Sequence, residues 1–346
     1  MTDYLRAKRI SRLKLTGGIS IALLLLLLIT RLGTSAPTIN MERLGQPVIP
    51  DFATVGASAA EIRIITADES YTLSKASNGW QMDKADGYTV RPDRLAALVT
   101  GLQGLTWGEG RTRDPEKFDR IGLGDPRDGG SGAIIQIADT SGKISAEFIT
   151  GRKDAYIYAR YPTDTQAFRV TGELPPLYTH NAWLDFNIID INPDAVSAFR
   201  LYDQTGTSLY LERIVGAGER SFKPAPPFQD YRLVSRLAAS TTAMALTRLQ
   251  PIGVKMATDL TTAPAGRHIT QTHDGLEVDL KAYREPDGYY VTIYAVEAGE
   301  GARRGITINE KAEGWAFQLN EYDWNDFTPR ISSIIRPPAP TPEASP

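Results

Sequence analysis

The side chains best suited to acid–base or metal chemistry in this sequence are three histidines and scattered carboxylates. His268 and His273 lie five residues apart, the first in an expected strand and the second beside a turn. Side chains alternate between the faces of a strand, so these two imidazoles would point in opposite directions and would not share a metal. His180 stands apart, in the segment LPPLYTHNAW. We therefore predict no metal site.

The carboxylates suggest no clear catalytic pair. Glu277 and Asp279 alternate on one strand face, which is as common in exposed sheets as in acid/base pairs. The sequence has no Gly-x-Ser-x-Gly elbow, no Gly-x-x-x-x-Gly-Lys-Ser/Thr loop and no cysteine, the residues that nucleophilic, phosphate-binding or thiol chemistry would need. We predict no catalytic residue and no cofactor, and a carboxylate-based hydrolase remains only the last of three functional alternatives.

Composition places the chain among ordinary globular proteins. It has 346 residues, enough for two domains, and a net charge of −3, which gives no electrostatic reason to expect nucleic acid as a partner. The charge is uneven, because five basic residues and one acidic residue lie in residues 1–14.

A hydrophobic run follows this basic segment. Residues 15–32 contain six successive leucines and no charge before Arg31, a length near the lower limit for a membrane-spanning helix. The basic flank favours a cytoplasmic N-terminus and an extracytoplasmic remainder. The alternative is a cleaved signal peptide, with TSA at 34–36 as its cleavage site.

The motif Trp-x-Asp-Phe occurs twice, as Trp183-Leu-Asp185-Phe and as Trp324-Asn-Asp326-Phe. A large aromatic residue followed by Asp and a second aromatic is suited to a short helix packed on a sheet, with the carboxylate capping backbone amides. The alternative is a paired aromatic and acidic interaction surface formed by these four residues.

The segments before the two motifs have the same order, which is a hairpin, a helix, a second hairpin and a strand. The spacing of equivalent segments varies between about 135 and 149 residues, as loop insertions would produce. One helix is expected in TVRPDRLAALVTGLQGL, where an apolar face comprises Leu95, Leu98, Val99, Leu102 and Leu105. The other is expected in FQDYRLVSRLAASTTAMAL, with a face of Tyr231, Val234, Ala238, Thr241 and Ala245.

The fold predicted from these patterns is α+β, with two tandem similar lobes, each a mainly antiparallel sheet with one long and one or two short helices. The predicted segments are a cytoplasmic N-terminus at 1–14, a transmembrane signal anchor at 15–32, a spacer at 33–58, lobes at 59–192 and 193–335, and a disordered Pro-rich tail at 336–346.

Several segments of the chain resemble a known family. SNGWQM, RPDRLAALVTGLQGL, FDRIGLGDP at 118–126 and LDFNIIDI at 184–191 occur in the order seen in the domain of unknown function 4340 family, and the resemblance covers roughly residues 55–335. It implies a single-pass membrane protein whose repeat domains lie outside the inner membrane and contact ABC transporters of the gliding-motility type, and it supplies no catalytic residue. The second half lacks a counterpart of GLGDP, and the Pro-rich tail is not typical of the family.

The function expected from the anchor and this resemblance is a non-enzymatic accessory or scaffold subunit of an ABC-type transport system. Its partners would be the inner membrane, through residues 15–32, and a permease and ATPase complex. The second alternative is a module that binds envelope glycan or polymer on exposed tryptophans, for which Trp80, Trp183, Trp315 and Trp324 are the candidates.

Overall fold

A computed structural model describes residues 42–203, 205–216, 221–296 and 299–338. The fold of these residues is α+β, with two large, mainly antiparallel sheets of nine and eight strands, a two-stranded sheet and few helices. The predicted fold class is confirmed at this level. The predicted segments 1–14 and 15–32, and residues 339–346 of the tail, lie outside the described residues.

The strands, in chain order, are β1 Ala59–Ile65, β2 Ser70–Ala76, β3 Gly79–Met82, β4 Tyr88–Thr89, β5 Thr106–Gly110, β6 Ala133–Asp139, β7 Ile144–Lys153, β8 Tyr156–Arg160, β9 Phe168–Thr171, β10 Val196–Tyr202, β11 Ser208–Arg213, β12 Phe222–Pro224, β13 Arg232–Leu233, β14 Gly253–Met256, β15 Gly266–Thr272, β16 Glu277–Glu285, β17 Gly288–Ala295, β18 Trp315–Leu319 and β19 Ile335–Arg336. The described helices are α1 Phe52–Ser58, α2 Pro92–Gly104, α3 Arg236–Ala243, α4 Ala302–Ala312, α5 Glu321–Phe327 and α6 Ile331–Ile334.

The two large sheets have the same strand order. The first runs β4-β3-β2-β1-β6-β7-β8-β9-β5, and the second runs β12-β11-β10-β15-β16-β17-β18-β14. Apart from the short β4, each strand of the first sheet has a counterpart in the second at the same place in both chain order and sheet order. This agreement supports the predicted duplication, and we call β1 to β9 the first repeat and β10 to β18 the second.

The register of the paired strands repeats as well. In the first repeat the β1–β6 ladder has an irregularity between Ala59 and Glu61, and in the second the β10–β15 ladder has one between Val196 and Ala198. A bulge adds one residue to a strand and fixes which side chains point to which face. Counting from the bulges, the pair Ile65–Ile134 of the first repeat is equivalent to the pair Tyr202–Arg267 of the second.

The chain divides into two compact units, Met1–Ser70 with Ala96–Leu177, and Tyr71–Leu95 with Tyr178–Pro346. The predicted lobe boundary at 192/193 lies inside the second unit, so the units and the repeats do not coincide. The first folded residues precede the predicted start of the first lobe at residue 59. Within the predicted spacer, Val48 is buried and its amide donates to the Leu105 carbonyl at 2.8 Å.

Of the two predicted long helices, the first forms and the second is much shorter. Helix α2 buries Leu98 and Leu102, but Val99 of the predicted apolar face is exposed. The predicted helix at 228–246 is wrong over its first turns, because Arg232–Leu233 is a strand paired with Ile335–Arg336. Helix α3 begins after Ser235, whose hydroxyl accepts hydrogen bonds from the backbone amides of Leu237 and Ala238.

Within the four described ranges no helix has the length and apolar character to cross a membrane. The predicted anchor at 15–32 is not among those residues.

Candidate functional site

The two Trp-x-Asp-Phe motifs follow the last strand of each repeat. Trp183 ends a 3₁₀ turn, His180–Trp183, and is fully buried, with its indole N–H donating to the Tyr71 hydroxyl at 2.9 Å. Trp324 lies in α5, is 3% exposed and stacks on the Tyr289 ring at 4.8 Å. Both indoles therefore pack inside the protein rather than presenting a face to solvent.

The two motif carboxylates have different partners. Asp185 accepts a hydrogen bond from the backbone amide of Asn187 at 3.1 Å, which is the predicted kind of contact. Asp185 also lies 3.8 Å from the Lys311 ammonium group, whereas Asp326 forms an ion pair with Arg248 at 3.1 Å, and burial raises the pKa of Asp326. The structure does not bring these two aspartates into one site, so an interaction surface built on all four motif residues remains a prediction.

His268 and His273 do not share a site, and Glu277 and Asp279, neighbours on one face of β16, each have another partner. His268 is fully buried, whereas His273 is exposed. Asp279 pairs with Arg267, and Glu277 accepts a hydrogen bond from the Gln271 amide at 2.8 Å. In the part of the chain that the structure describes, no cluster of three or more His, Asp or Glu side chains is arranged to hold a metal ion.

One face of the first repeat is covered by its own chain. The 22 residues of the connector 111–132, between β5 and β6, include the whole FDRIGLGDP segment. Phe118 and Leu123 of this connector pack on Ile134 and Ile149 of the sheet, and Ile65 packs against the same cluster. Ile134 and Ile149 are consequently fully buried.

A buried arginine and a glycine fix this cover. The guanidinium of Arg160 donates to the Leu123 carbonyl at 3.2 Å and lies 4.7 Å from the centre of the Phe118 ring. Burial lowers the pKa of Arg160. A Cβ on Gly151 would lie 1.7 Å from the Gly122 carbonyl oxygen, so the connector can approach the sheet only over a residue without a side chain.

The equivalent face of the second repeat is open. Its connector, 257–265, has nine residues and is held beside the end of β16, where the Glu285 carboxylate accepts hydrogen bonds from the backbone amides of Thr261 and Thr262. The row equivalent to Ile65–Ile134–Ile149 is Tyr202–Arg267–Lys281. An apolar row that the connector covers in one repeat is thus a polar, solvated row in the other.

We define the open face by seven side chains of this second sheet, which are Arg200, Tyr202, Tyr210, Arg267, Gln271, Asp279 and Lys281. Cross-strand partners share a face of a sheet, and the ladders place these residues together. Tyrosine also replaces the essential glycine, since the position equivalent to Gly151 is Tyr283.

Contacts between neighbours hold the side chains of the open face in place. The Arg200 guanidinium lies 4.9 Å from the centre of the Tyr210 ring, and the Tyr210 hydroxyl donates to the Gln271 amide oxygen at 3.1 Å. Arg267 forms two hydrogen bonds with the Asp279 carboxylate, at 2.8 and 2.9 Å, and lies 5.4 Å from the Tyr202 ring. The hydrogen bond to Asp279 raises the pKa of Arg267, so this residue stays cationic.

Our sequence reasoning missed this surface, although two signals for it were present. The missing counterpart of GLGDP in the second half showed that a covering segment was absent. Alternation of Arg200 and Tyr202 with apolar residues in AFRLY, and of Asp279 and Lys281 in EVDLKAY, marked the polar side of these strands.

Comparison with protein families identifies a matching family model. The family model described as a domain of unknown function (DUF4340) matches residues 80–262, just over half of the chain, including the covering segment and three of the seven residues of the open face. Comparison with curated proteins and with solved structures finds no match. The chain therefore belongs to the family of the domain of unknown function DUF4340.

Proposed function

We propose that this protein is a non-enzymatic accessory or scaffold subunit of an ABC-type transport system, held on the outer side of the inner membrane by residues 15–32. Its partner in this proposal is the permease of that system, together with the ATPase that the permease binds. Family membership and the hydrophobic run near the N-terminus support this proposal.

The observation that carries the proposal is the set of residue types on the open face, together with the contacts that hold their side chains in place. Tyrosine and arginine are enriched where proteins bind one another and account for many of the residues that dominate binding energy. Four of the seven residues of the open face are of these two types. Because neighbours already hold these side chains, they would lose less conformational entropy when a partner binds than the side chains of a mobile surface would.

The duplication explains how such a surface can exist without loss of stability. The first repeat needs a connector that covers its sheet because the row Ile65–Ile134–Ile149 is apolar. The second repeat needs no such cover because the row Tyr202–Arg267–Lys281 is hydrated. Membrane attachment would then hold the open face near a membrane partner at a high effective concentration, so that weak contacts suffice.

Site-specific cross-linking tests the proposal directly. A photoreactive phenylalanine analogue replaces Tyr202 or Tyr210 in the full-length chain in its native host, and cross-linked products are identified by mass spectrometry. We expect both positions to give covalent products with the permease. The same analogue at Tyr322, which is 71% exposed but lies outside the open face, is the matched control and should give none.

Two outcomes contradict the proposal. One is the absence of permease products at Tyr202 and Tyr210 while other membrane complexes are cross-linked in the same cells. The other is equal labelling from Tyr322, which would show that proximity alone, and not docking on the open face, produces the product.

A further inference from the structure

A cleft opens in the second unit where β17 and β18 separate. Their ladder ends at the pair Val291–Phe317, although β17 continues to Ala295. Beyond that point α4 takes the place of the neighbouring strand, since the Asn309 amide accepts from the Ala295 N–H and donates to the Ala295 carbonyl, each at 2.8 Å. The Asn309 side chain thereby satisfies the backbone N–H and carbonyl of Ala295 at the edge of β17, and a space remains beside this edge.

This space has a volume of about 340 Å³, near the lower end of the roughly 300–1,000 Å³ typical of small-molecule sites. The residues of its lining that matter for recognition are Asp279, Lys281, Thr292, Tyr294, Glu313 and Trp315. All of them belong to the second unit.

The lining offers hydrogen-bonding groups that the fold itself does not use. Among the described residues, no hydrogen bond or ion pair reaches the side chains of Lys281, Thr292, Tyr294 or Glu313. Lys281 is a donor, Glu313 is an acceptor, and the two hydroxyls can do either. A ligand that fills the cleft would therefore meet donors and acceptors in similar number.

The charge of the lining is balanced. The Asp279 carboxylate is already neutralised by its two hydrogen bonds to Arg267, which leaves one cation, Lys281, and one anion, Glu313. Such a site does not favour a phosphate or another strongly charged ligand. The exposed ring of Tyr294, 58% accessible, and the half-buried Trp315 add aromatic surface beside these polar groups.

We propose that this cleft binds a neutral saccharide of about one or two rings. Hydroxyl groups in alternating positions satisfy mixed donors and acceptors, a carboxylate accepts from two hydroxyls at once, and the C–H face of a sugar ring packs on an aromatic ring. The buried tryptophans Trp183 and Trp324 take no part, so the site differs from the platform expected from the sequence. It borders the open face and shares Asp279 and Lys281 with it, but does not depend on the transporter partner.

Binding is tested on the full-length chain in a solution free of glycosides. Cellobiose, maltose and N,N′-diacetylchitobiose are titrated separately, with saturation-transfer NMR to detect contact and tryptophan fluorescence to measure the dissociation constant; sodium phosphate is the charged counter-probe. We expect at least one disaccharide to bind and phosphate not to bind. Glu313→Gln and Tyr294→Ala should each weaken the sugar roughly tenfold, the effect of losing one or two net hydrogen bonds.

Matched controls separate a local effect from a general one. Glu310→Gln alters an exposed carboxylate of α4 outside the cleft, and Tyr322→Ala removes an exposed ring elsewhere; neither should change the dissociation constant. The inference is overturned if none of the three sugars binds, if phosphate binds in their place, or if Glu313→Gln and Tyr294→Ala bind as the wild type does. Each result is independent of permease cross-linking at Tyr202 and Tyr210.

Discussion

The fully buried histidine of the second repeat predicts a loss of stability in mild acid. His268 lies on β15 with its Nε2 3.0 Å from the Thr242 carbonyl oxygen and its Nδ1 3.3 Å from the Thr270 hydroxyl. These partners suit a neutral ring that donates through Nε2 and accepts at Nδ1. Phe199 stacks on the ring at 5.5 Å. Burial lowers the pKa of His268 from 6.5 to about 4.

The sign and size of the effect follow from that pKa. The unfolded chain takes up the proton near pH 6.5, whereas the folded protein resists it until about pH 4. The stabilisation is therefore complete above pH 6.5 and is lost as the pH falls from 6.5 to about 4. At 1.36 kcal/mol per pH unit this corresponds to roughly 3 kcal/mol of unfolding free energy.

The assay is urea unfolding, followed by tryptophan fluorescence, of the wild type, His268→Gln and His273→Gln at several pH values between about 7.5 and 4.5. Gln keeps a donor for the Thr242 carbonyl but cannot titrate. Over this pH range we expect His268→Gln to lose less unfolding free energy than the wild type, and the difference should be most of the roughly 3 kcal/mol given above. His273 is exposed, so its variant should follow the wild type. Identical pH slopes for all three proteins, or an NMR titration that places His268 near 6.5, would refute the reasoning.

Two further predictions concern the two connectors. Gly151→Ala should lower the unfolding free energy by about 2 kcal/mol or more, because a methyl group there collides with the Gly122 carbonyl; Gly104→Ala, where nothing lies within 4 Å, is the control, and equal urea midpoints would contradict this. Hydrogen bonds from Thr262 and Thr261 lower the pKa of Glu285 to about 2, so the wild type should lose stability as the pH falls from 4.5 to about 2. Glu285→Gln should lower the thermal midpoint at pH 7 and should not show this loss. An unchanged midpoint at pH 7 would contradict the prediction.

The sequence predicted those features that local pattern controls. Turns such as Asn78-Gly79 and Asp287-Gly288 end strands where expected, because glycine supplies the positive φ that each turn needs. The duplicated order of elements was also readable. The length of α3 was not, since a tertiary partner, the strand Ile335–Arg336, converts residues before Ser235 from helix to strand.

The candidate surfaces were less predictable because they depend on contacts distant in sequence. Helix α4 carries an amphipathic pattern in ARRGITINEKA that we did not interpret, and its Asn309 replaces a strand partner at the edge of β17. Which tryptophans are buried depends on their tertiary contacts, such as those of Trp183 with Tyr71 and of Trp324 with Tyr289, rather than on residue type. The open face needed two facts together, namely the shared register of the repeats and the absence of a cover in one of them.

The matching bulges carry a consequence for how this chain folds. Because the two repeats have the same strand register, strands of one repeat could pair with strands of the other during folding. By backbone geometry alone, β1 could pair with β15 as readily as with β6. The outer rows oppose that error. An exchanged ladder would set Ile65 beside Arg267 and leave a charged group under an apolar connector. The different residues of the two rows thus disfavour pairing between strands of different repeats, although the backbone register of the two repeats is the same.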